Sequence, residues 1–278
     1  MKSKMGNKGQ TDKQMSLKIN SIEKNKNLDP IMETNLKISS IIKSKKEEIL
    51  SSPLKPLILI STGAFCPPHK VHIQNLILCK NQIKTHNVIL GLISPSHDNY
   101  IKHKHSFPWN LDSLIRLNLL NSIIKEEKEE NFILTDPWES EQNDFIDFPY
   151  VFQLRGKEIK DICKNTINLD VDIGFIMGAD LVINTKCMKF MCQIGIVIIF
   201  RPDWDNNIVL DMKNKLDKKL QENVIIVQPD KNYYFYDSMS STHIRNLFEK
   251  KDFEKVIQFT SKDSVNILNN YFKKFKEG

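Results

Sequence analysis

Residues Leu57 to Asn75 read LILISTGAFCPPHKVHIQN, and this stretch sets the fold. An apolar run, Leu57 to Ile60, ends in Ser61-Thr62-Gly63. Pro67 and Pro68 follow, and then two histidines three apart, His69 and His72. Beyond them Ile73, Leu76, Ile77 and Cys79 recur at helical spacing. The pattern is a buried strand, a glycine turn and a helix start, which is how an open α/β sheet builds an anion site at its strand ends. Histidines at i and i+3 share one face of the first helical turn, so both can face whatever the turn holds. Taken alone, the same spacing also fits a βα turn whose histidines cap the helix or face water.

The rest of the chain alternates in the same way. Strands are expected at Val88–Ile93, 132–134, Ile173–Met177, Ile194–Phe200 and Val224–Val227. Helices are expected after Leu111 (Leu114, Ile115, Leu119, Ile123), over Tyr150–Cys163, over Asp211–Glu222, from Ser241, and around Val265, Leu268, Phe272 and Phe275. Five or six strands alternating with helices predict an α/β fold with a doubly wound, mainly parallel sheet.

The chain has 278 residues, enough for one α/β domain with extensions. Its net charge of +6 is concentrated at the start: residues 1–50 hold eleven lysines and six acids, and the body is nearly neutral. A neutral body argues against a nucleic-acid-binding face, which needs clustered basic residues. Five cysteines without CxxC spacing read as reduced thiols, not as a disulfide framework or a zinc site. The longest apolar run is too short to span a bilayer. The lead, residues 1–52, is lysine-rich, with nothing to bury up to Pro30 and then one amphipathic helix over Ile31–Leu50. Residues 53–278 form the folded domain.

Three further groups could carry chemistry, and two others read as solvated surface. Ser240-Ser241-Thr242 opens a helix with Arg245 on its first turn, a set of donors suited to phosphate. Gly178-Ala179-Asp180 follows a strand, where glycine permits close approach and the carboxylate can accept ribose hydroxyls. Asp136-Pro137-Trp138-Glu139 sets a rigid tryptophan at a strand end, either to stack on a flat ring or to pack the sheet edge. His97, His103 and His105 alternate with lysines and lack a thiol or carboxylate partner, so they read as a solvated loop. The charge run Lys125–Glu130 reads as a helix end in water. No Ser-His-Asp or Walker A arrangement is found.

Together, GAFCPPHKVH, LGLISPSHDNYIKHK, TDPWESEQ, IMGADL and SSTHIR occur in the order found in the nicotinamide/nicotinate mononucleotide adenylyltransferases. From about Leu57 to the C-terminus the chain resembles the eukaryotic type of that family, within the nucleotidyltransferase superfamily. The resemblance implies a Rossmann-like fold and a reaction in which a mononucleotide 5′-phosphate attacks the α-phosphate of ATP. The products would be NAD or deamido-NAD and pyrophosphate, with Mg²⁺ accompanying ATP.

Carried over by position, His72, His69 and Arg245 would be catalytic. Gly63, Phe65, Gly178, Asp180, Ser241 and Thr242 would join them around ATP. Ala64, Lys102, Trp138, Glu139 and Phe190 would meet nicotinamide mononucleotide or nicotinic acid mononucleotide, with no protein side chain assigned to a metal. The chain departs from the family at Ala64, where a hydroxyl residue is usual, and at Cys66, where Asn or Asp is usual. The loop after Asp180 has no second tryptophan; Phe190 is its nearest aromatic. The resemblance also implies a nuclear or cytoplasmic protein and is compatible with a homo-oligomer. Two other readings remain open at this stage: another adenylyltransferase of the superfamily, such as one acting on phosphopantetheine, or a catalytically silent nucleotide-binding, chaperone-like module.

Overall fold

The computed structural model describes residues 29–201, 205–229 and 239–274. The lead up to residue 28, Pro202 and Phe275 lie outside the described residues. Six parallel strands form one sheet in the order β3-β2-β1-β4-β5-β6. They are β1 (Pro56–Gly63), β2 (Asn87–Pro95), β3 (Ile133–Thr135), β4 (Asp172–Gly178), β5 (Ile196–Ile199) and β6 (Val224–Val227). The chain winds outward from β1 to β3 and then returns to the other side of β1. A crevice is therefore left above the carboxyl ends of β1 and β4, the usual ligand position in such sheets.

Both faces of β1 are buried, which is why it reads as a continuous apolar run. Ile58 and Ile60 pack on one side with Leu90, Leu92 and Phe175. Leu57 and Leu59 pack on the other with Ile73, Leu76 and Ile123. The second face is covered by α3 (Lys70–Gln82) and α5 (Ser113–Glu126), and the first by α6 (Phe148–Ile167) among others.

The expected helix over Ile31–Leu50 is two helices, α1 (Pro30–Ser44) and α2 (Lys46–Ser51). The break falls at Lys45, whose Nζ donates to the carbonyls of Ile89 (3.3 Å) and Asn131 (2.9 Å) beside the sheet. Ile38, Ile42 and Ile49 enter the core with the strands, and the side chains of Asn35 and Ser39 bond to α6. Residues 30–51 are thus packed onto the body. The charged stretch 211–222 also divides, into α9 (Asn206–Asn214) and α10 (Lys218–Gln221), because Leu216 turns inward to the core between them.

β5 starts two residues later than expected. Gly195 takes φ +116°, and a Cβ there would stand 2.6 Å from the Ile173 carbonyl oxygen, so Ile194 and Gly195 form a turn. Short helices complete the fold: α4 (Asp98–Lys104), α7 (Ala179–Thr185), α8 (Met188–Met191), α11 (Ser241–Glu249), α12 (Phe253–Phe259) and, longer, α13 (Lys262–Lys274). Among the described residues no helix is long and apolar enough to cross a membrane.

Candidate active site

The turn after β1 carries the geometry. Gly63 leaves room for the Phe65 ring, which would lie 3.3 Å from a Cβ placed there, while Phe65 itself takes φ 44°. A bulky residue in the left-handed region is uncommon and marks a backbone held by its surroundings. The Phe65 ring meets His72 edge-on, centroids 4.8 Å apart, and His72 stacks on His69 at 3.8 Å.

The His69 backbone N–H donates to His72 Nδ1 at 3.0 Å. That nitrogen is therefore the acceptor, and in the neutral ring the proton sits on Nε2, available to an anion. Burial pushes His72 down to about 3, and the nearby Arg201 guanidinium works in the same direction. Burial first, and then His72 and Arg201, hold His69 well below the ordinary imidazole range. His69 Nδ1 is buried without a hydrogen-bond partner among the described residues. Both rings are accordingly neutral donors near pH 7 in the free protein.

Because folding lowers the His72 pKa, the unfolded chain binds a proton that the folded one does not, and stability falls as pH drops through 6.5 toward 3. Carbon-bound imidazole proton shifts of His72 should stay flat from pH 7.5 to 5 in the free protein. They should begin to titrate in that window once inorganic triphosphate is added. A ring titrating near 6.5 in the free protein would contradict this environment.

A segment some 175 residues later in the chain closes on the same turn. Ser240 caps α11, accepting from His243 N at 3.1 Å. Ser241 Oγ donates to the Pro67 carbonyl at 2.8 Å, and Arg245 Nη1 donates to the Cys66 carbonyl at 2.8 Å. Arg245 Nη2 also holds Thr242 Oγ1 at 2.8 Å. Two imidazoles and a guanidinium thus gather around residues 65–69. On the β4 side Asp180 Oδ1 lies 3.3 Å from Arg201 Nε. A Cβ on Gly178 would collide with that carboxylate, so glycine is what lets Asp180 fold back over the strand end.

The other side of the Gly63-Ala64 backbone lines a cleft of about 270 Å³. Its walls are aromatic: Tyr100 stacks with Phe145 at 5.1 Å, and Phe148 lies parallel to Phe175 at 6.1 Å. Glu139 lines it, 2 % exposed, with Oε2 unpartnered among the described residues. Burial pushes the Glu139 carboxyl up to about 8, against the pull of a Ser96 hydrogen bond and of Arg116.

Other expected residues sit differently. Lys104, not Lys102, lines the cleft, and its Nζ stands 5.3 Å from the Tyr100 ring centre; both lysines are exposed. Trp138 is 8 % exposed beside Glu139 and does not line the cleft. Asp136 of the same motif forms a buried two-pronged ion pair with Arg155, at 2.8 and 3.1 Å. Phe190 on α8 is 45 % exposed and outside the cleft, where Leu181 of α7 stands instead.

Two arginines escaped the sequence reading. Arg201 follows β5, and its charge reaches both histidines. Arg116 is fully buried on α5 and donates to the carbonyls of Ala64 (3.1 Å), Ser96 (2.7 Å) and Leu111 (3.1 Å) and to Asp98 (2.6 Å). It ties the loop after β1 to the loop after β2. The signal was present: Arg116 falls on the apolar stripe with Leu119, Leu120 and Ile123, where a charge demands a reason.

No family model matches the chain. A nicotinamide-nucleotide adenylyltransferase of Drosophila melanogaster is 29% identical over 118 residues, 40% of this chain; the match spans 28% of the fly protein's length. Two structures of Plasmodium falciparum nicotinic acid mononucleotide adenylyltransferase, one complexed with APC and one with NaAD, superpose with TM-scores of 0.52 and 0.53. They are 15% and 16% identical, and each covers 78% of this chain and 96% of the other. With six parallel strands wound in both directions from β1, the chain has the Rossmann-like nucleotidyltransferase fold.

Proposed function

We propose that this chain transfers the AMP moiety of ATP to nicotinamide mononucleotide or nicotinic acid mononucleotide, forming NAD or deamido-NAD and releasing pyrophosphate. The observation that carries the reading is the convergence of His69, His72, Ser241 and Arg245 on a turn whose other side walls an aromatic cleft. One side offers donors for a polyphosphate. The other suits a flat ring bearing a phosphate of its own. The likenesses to the fly and Plasmodium adenylyltransferases support the same reading.

The nucleophile is an ionised phosphate oxygen, so no base is needed. In-line alignment and neutralisation of charge are enough. In this reading the mononucleotide ring lies among Tyr100, Phe145, Phe148 and Phe175, with its phosphate near Lys104. The ATP phosphates lie along His69, His72 and the first turn of α11. As the α-phosphate bond to the leaving group breaks, His72 Nε2–H donates to the developing charge, and Arg201 and Arg245 hold the departing pyrophosphate. Asp180 accepts from the adenosine ribose. Where the family has a hydroxyl in place of Ala64, Ser61 or Thr62 would supply the donor.

Among the described residues no three His, Cys, Asp or Glu side chains are grouped to hold a metal. Mg²⁺ fits here as part of Mg·ATP, ligated by phosphate oxygens and water, which is its habitual coordination beside nucleotides.

Glu139 gives a further expected result. Above pH 8 the wild-type cleft gains a buried negative charge that repels the mononucleotide phosphate, so KM for the mononucleotide should climb there. Glu139→Gln should abolish that climb and leave KM flat between pH 7 and 9. Identical profiles would remove Glu139 from the substrate site.

The direct test is a pyrophosphate-release assay with ATP and each of nicotinamide mononucleotide, nicotinic acid mononucleotide and 4′-phosphopantetheine. Release with either pyridine mononucleotide is expected. Release with phosphopantetheine alone would transfer the chain to a different acceptor class, and release with none would mark a silent nucleotide-binding module.

A further inference from the structure

Behind the phosphate-binding turn lies a second cavity, of about 430 Å³, that the proposed reaction does not use. Its volume lies within the range of small-molecule sites, and its walls are unusually aromatic. Trp109 meets Phe248 at 5.7 Å and Phe272 at 4.9 Å, both edge-on, and Phe248 meets Phe253 at 5.3 Å. These rings come from the loop before α5, from α11, from the start of α12 and from α13, so the cavity sits where four segments meet rather than on one helix face.

Its polar groups are few and asymmetric. Glu249 accepts from Trp109 Nε1 at 2.7 Å, which engages that carboxylate in the wall. Lys251 and Lys273 also line the cavity; both are exposed, and neither forms an ion pair among the described residues. Two free ammonium groups above an aromatic floor complement a flat ring carrying one negative charge. The rings touch one another edge-on, so a ligand ring would lie against the faces and edges they turn toward the cavity, and the lysines favour an anion over a cation or a neutral group.

The cavity is joined to the phosphate-binding turn by two short routes, one through hydrogen bonds and one along a helix. The Trp109 carbonyl accepts from Cys66 Sγ at 2.8 Å, and the Cys66 carbonyl accepts from Arg245. Arg245 in turn lies three and four residues before Phe248 and Glu249 on α11, so the phosphate grip and the cavity wall lie on one helix. A ligand that shifts Trp109 would act on the Cys66 backbone to which Arg245 donates, and one that shifts the last turn of α11 would act on the helix that carries Arg245.

We propose that this cavity is a second ligand site, specific for a small aromatic acid, and that its occupancy is felt at the phosphate-binding turn. The site itself stands whether or not the chain makes NAD; only the coupling rests on that reading.

The probe is 1-naphthoate, titrated calorimetrically into the full chain, with 1-naphthylmethylammonium and 1-naphthalenemethanol as cationic and neutral counterparts. One saturable site is expected for naphthoate, with the other two about tenfold weaker or worse. The double variant Lys251→Glu/Lys273→Glu, altered only at exposed side chains, should lose about tenfold in naphthoate affinity. Asn269→Trp, which fills the cavity from α13, should abolish binding; unchanged circular dichroism would show that both variants fold. Equal affinity for all three probes, or undiminished binding by the folded variants, would overturn the site. ATP affinity measured with and without saturating naphthoate should differ, and naphthoate affinity should change by the same factor when ATP is present. ATP affinity that is measurable and unmoved would overturn the coupling. A chain that binds naphthoate but no ATP would overturn the coupling and the adenylyl-transfer reading while leaving the site intact.

Discussion

His72→Ala should lower kcat by about 10²–10³-fold, the size expected when one preorganised donor to a developing oxyanion is removed. ATP affinity should change by less than about tenfold, because ground-state binding is shared with His69, Ser241 and Arg245 while the Nε2–H acts mainly as charge builds. The direction follows from the geometry. His72 Nδ1 is occupied by the His69 N–H, so the ring presents only its other nitrogen to a ligand. His72→Gln keeps a neutral N–H donor of similar reach and should recover part of the lost rate. Steady-state kinetics combined with equilibrium ATP binding separates the two parameters. A mutant that loses ATP binding and kcat in equal measure would make His72 a binding residue only. One that loses neither would place the ring outside the reaction.

Arg116→Met should be the most destabilising single change near the cleft. The guanidinium satisfies three carbonyls and the Asp98 carboxylate while itself fully buried. Removing one partner of such a buried network costs about 3–5 kcal/mol, because the acceptors left behind are desolvated and unpaired. In a chain of this size that corresponds to a fall in melting temperature of roughly 10 °C. Activity should fall as well, even well below the melting transition, since Ala64 and Ser96 would no longer be held in register across the cleft. Lys in place of Arg supplies one ammonium where several N–H groups are needed and should rescue little. A melting curve shifted by only a degree or two would show that the loops hold themselves.

Much of this arrangement is legible in the sequence because it follows from local patterning. β1, β4 and β5 are buried on both faces and announce themselves as unbroken apolar runs, so the strand count and the parallel sheet are readable. The strand-turn-helix of residues 57–82 fixes where the crevice opens; His69 and His72 meet because His69 is the extended N-cap of α3 and His72 its third residue, which their spacing permits without requiring. The Ser240–Arg245 cap is equally local, but its contact with Cys66 and Pro67 is not. That pairing depends on how α11 is carried back across the sheet.

What escapes the sequence is set by tertiary context. α7, α8 and α12 are too short to develop a repeating apolar stripe. Phe175 falls in an expected buried strand and Phe148 just before an expected helix, and only the packing of α6 on β4 lines them up as a cleft wall. Lys104 lines the cleft and Lys102 does not, because one short helical turn rotates neighbouring positions by a wide angle. Asp136 could have served a ligand, but the fold gives it to Arg155 instead.

The most direct test of the account is a single turnover with ATP labelled separately at its α- and γ-phosphates, in the presence of either pyridine mononucleotide. The α-label is expected in the dinucleotide and the γ-label in pyrophosphate, in equal amounts, since attack falls at the α-phosphorus beside His72. A γ-label appearing on the mononucleotide, or no label leaving ATP at all, would contradict it.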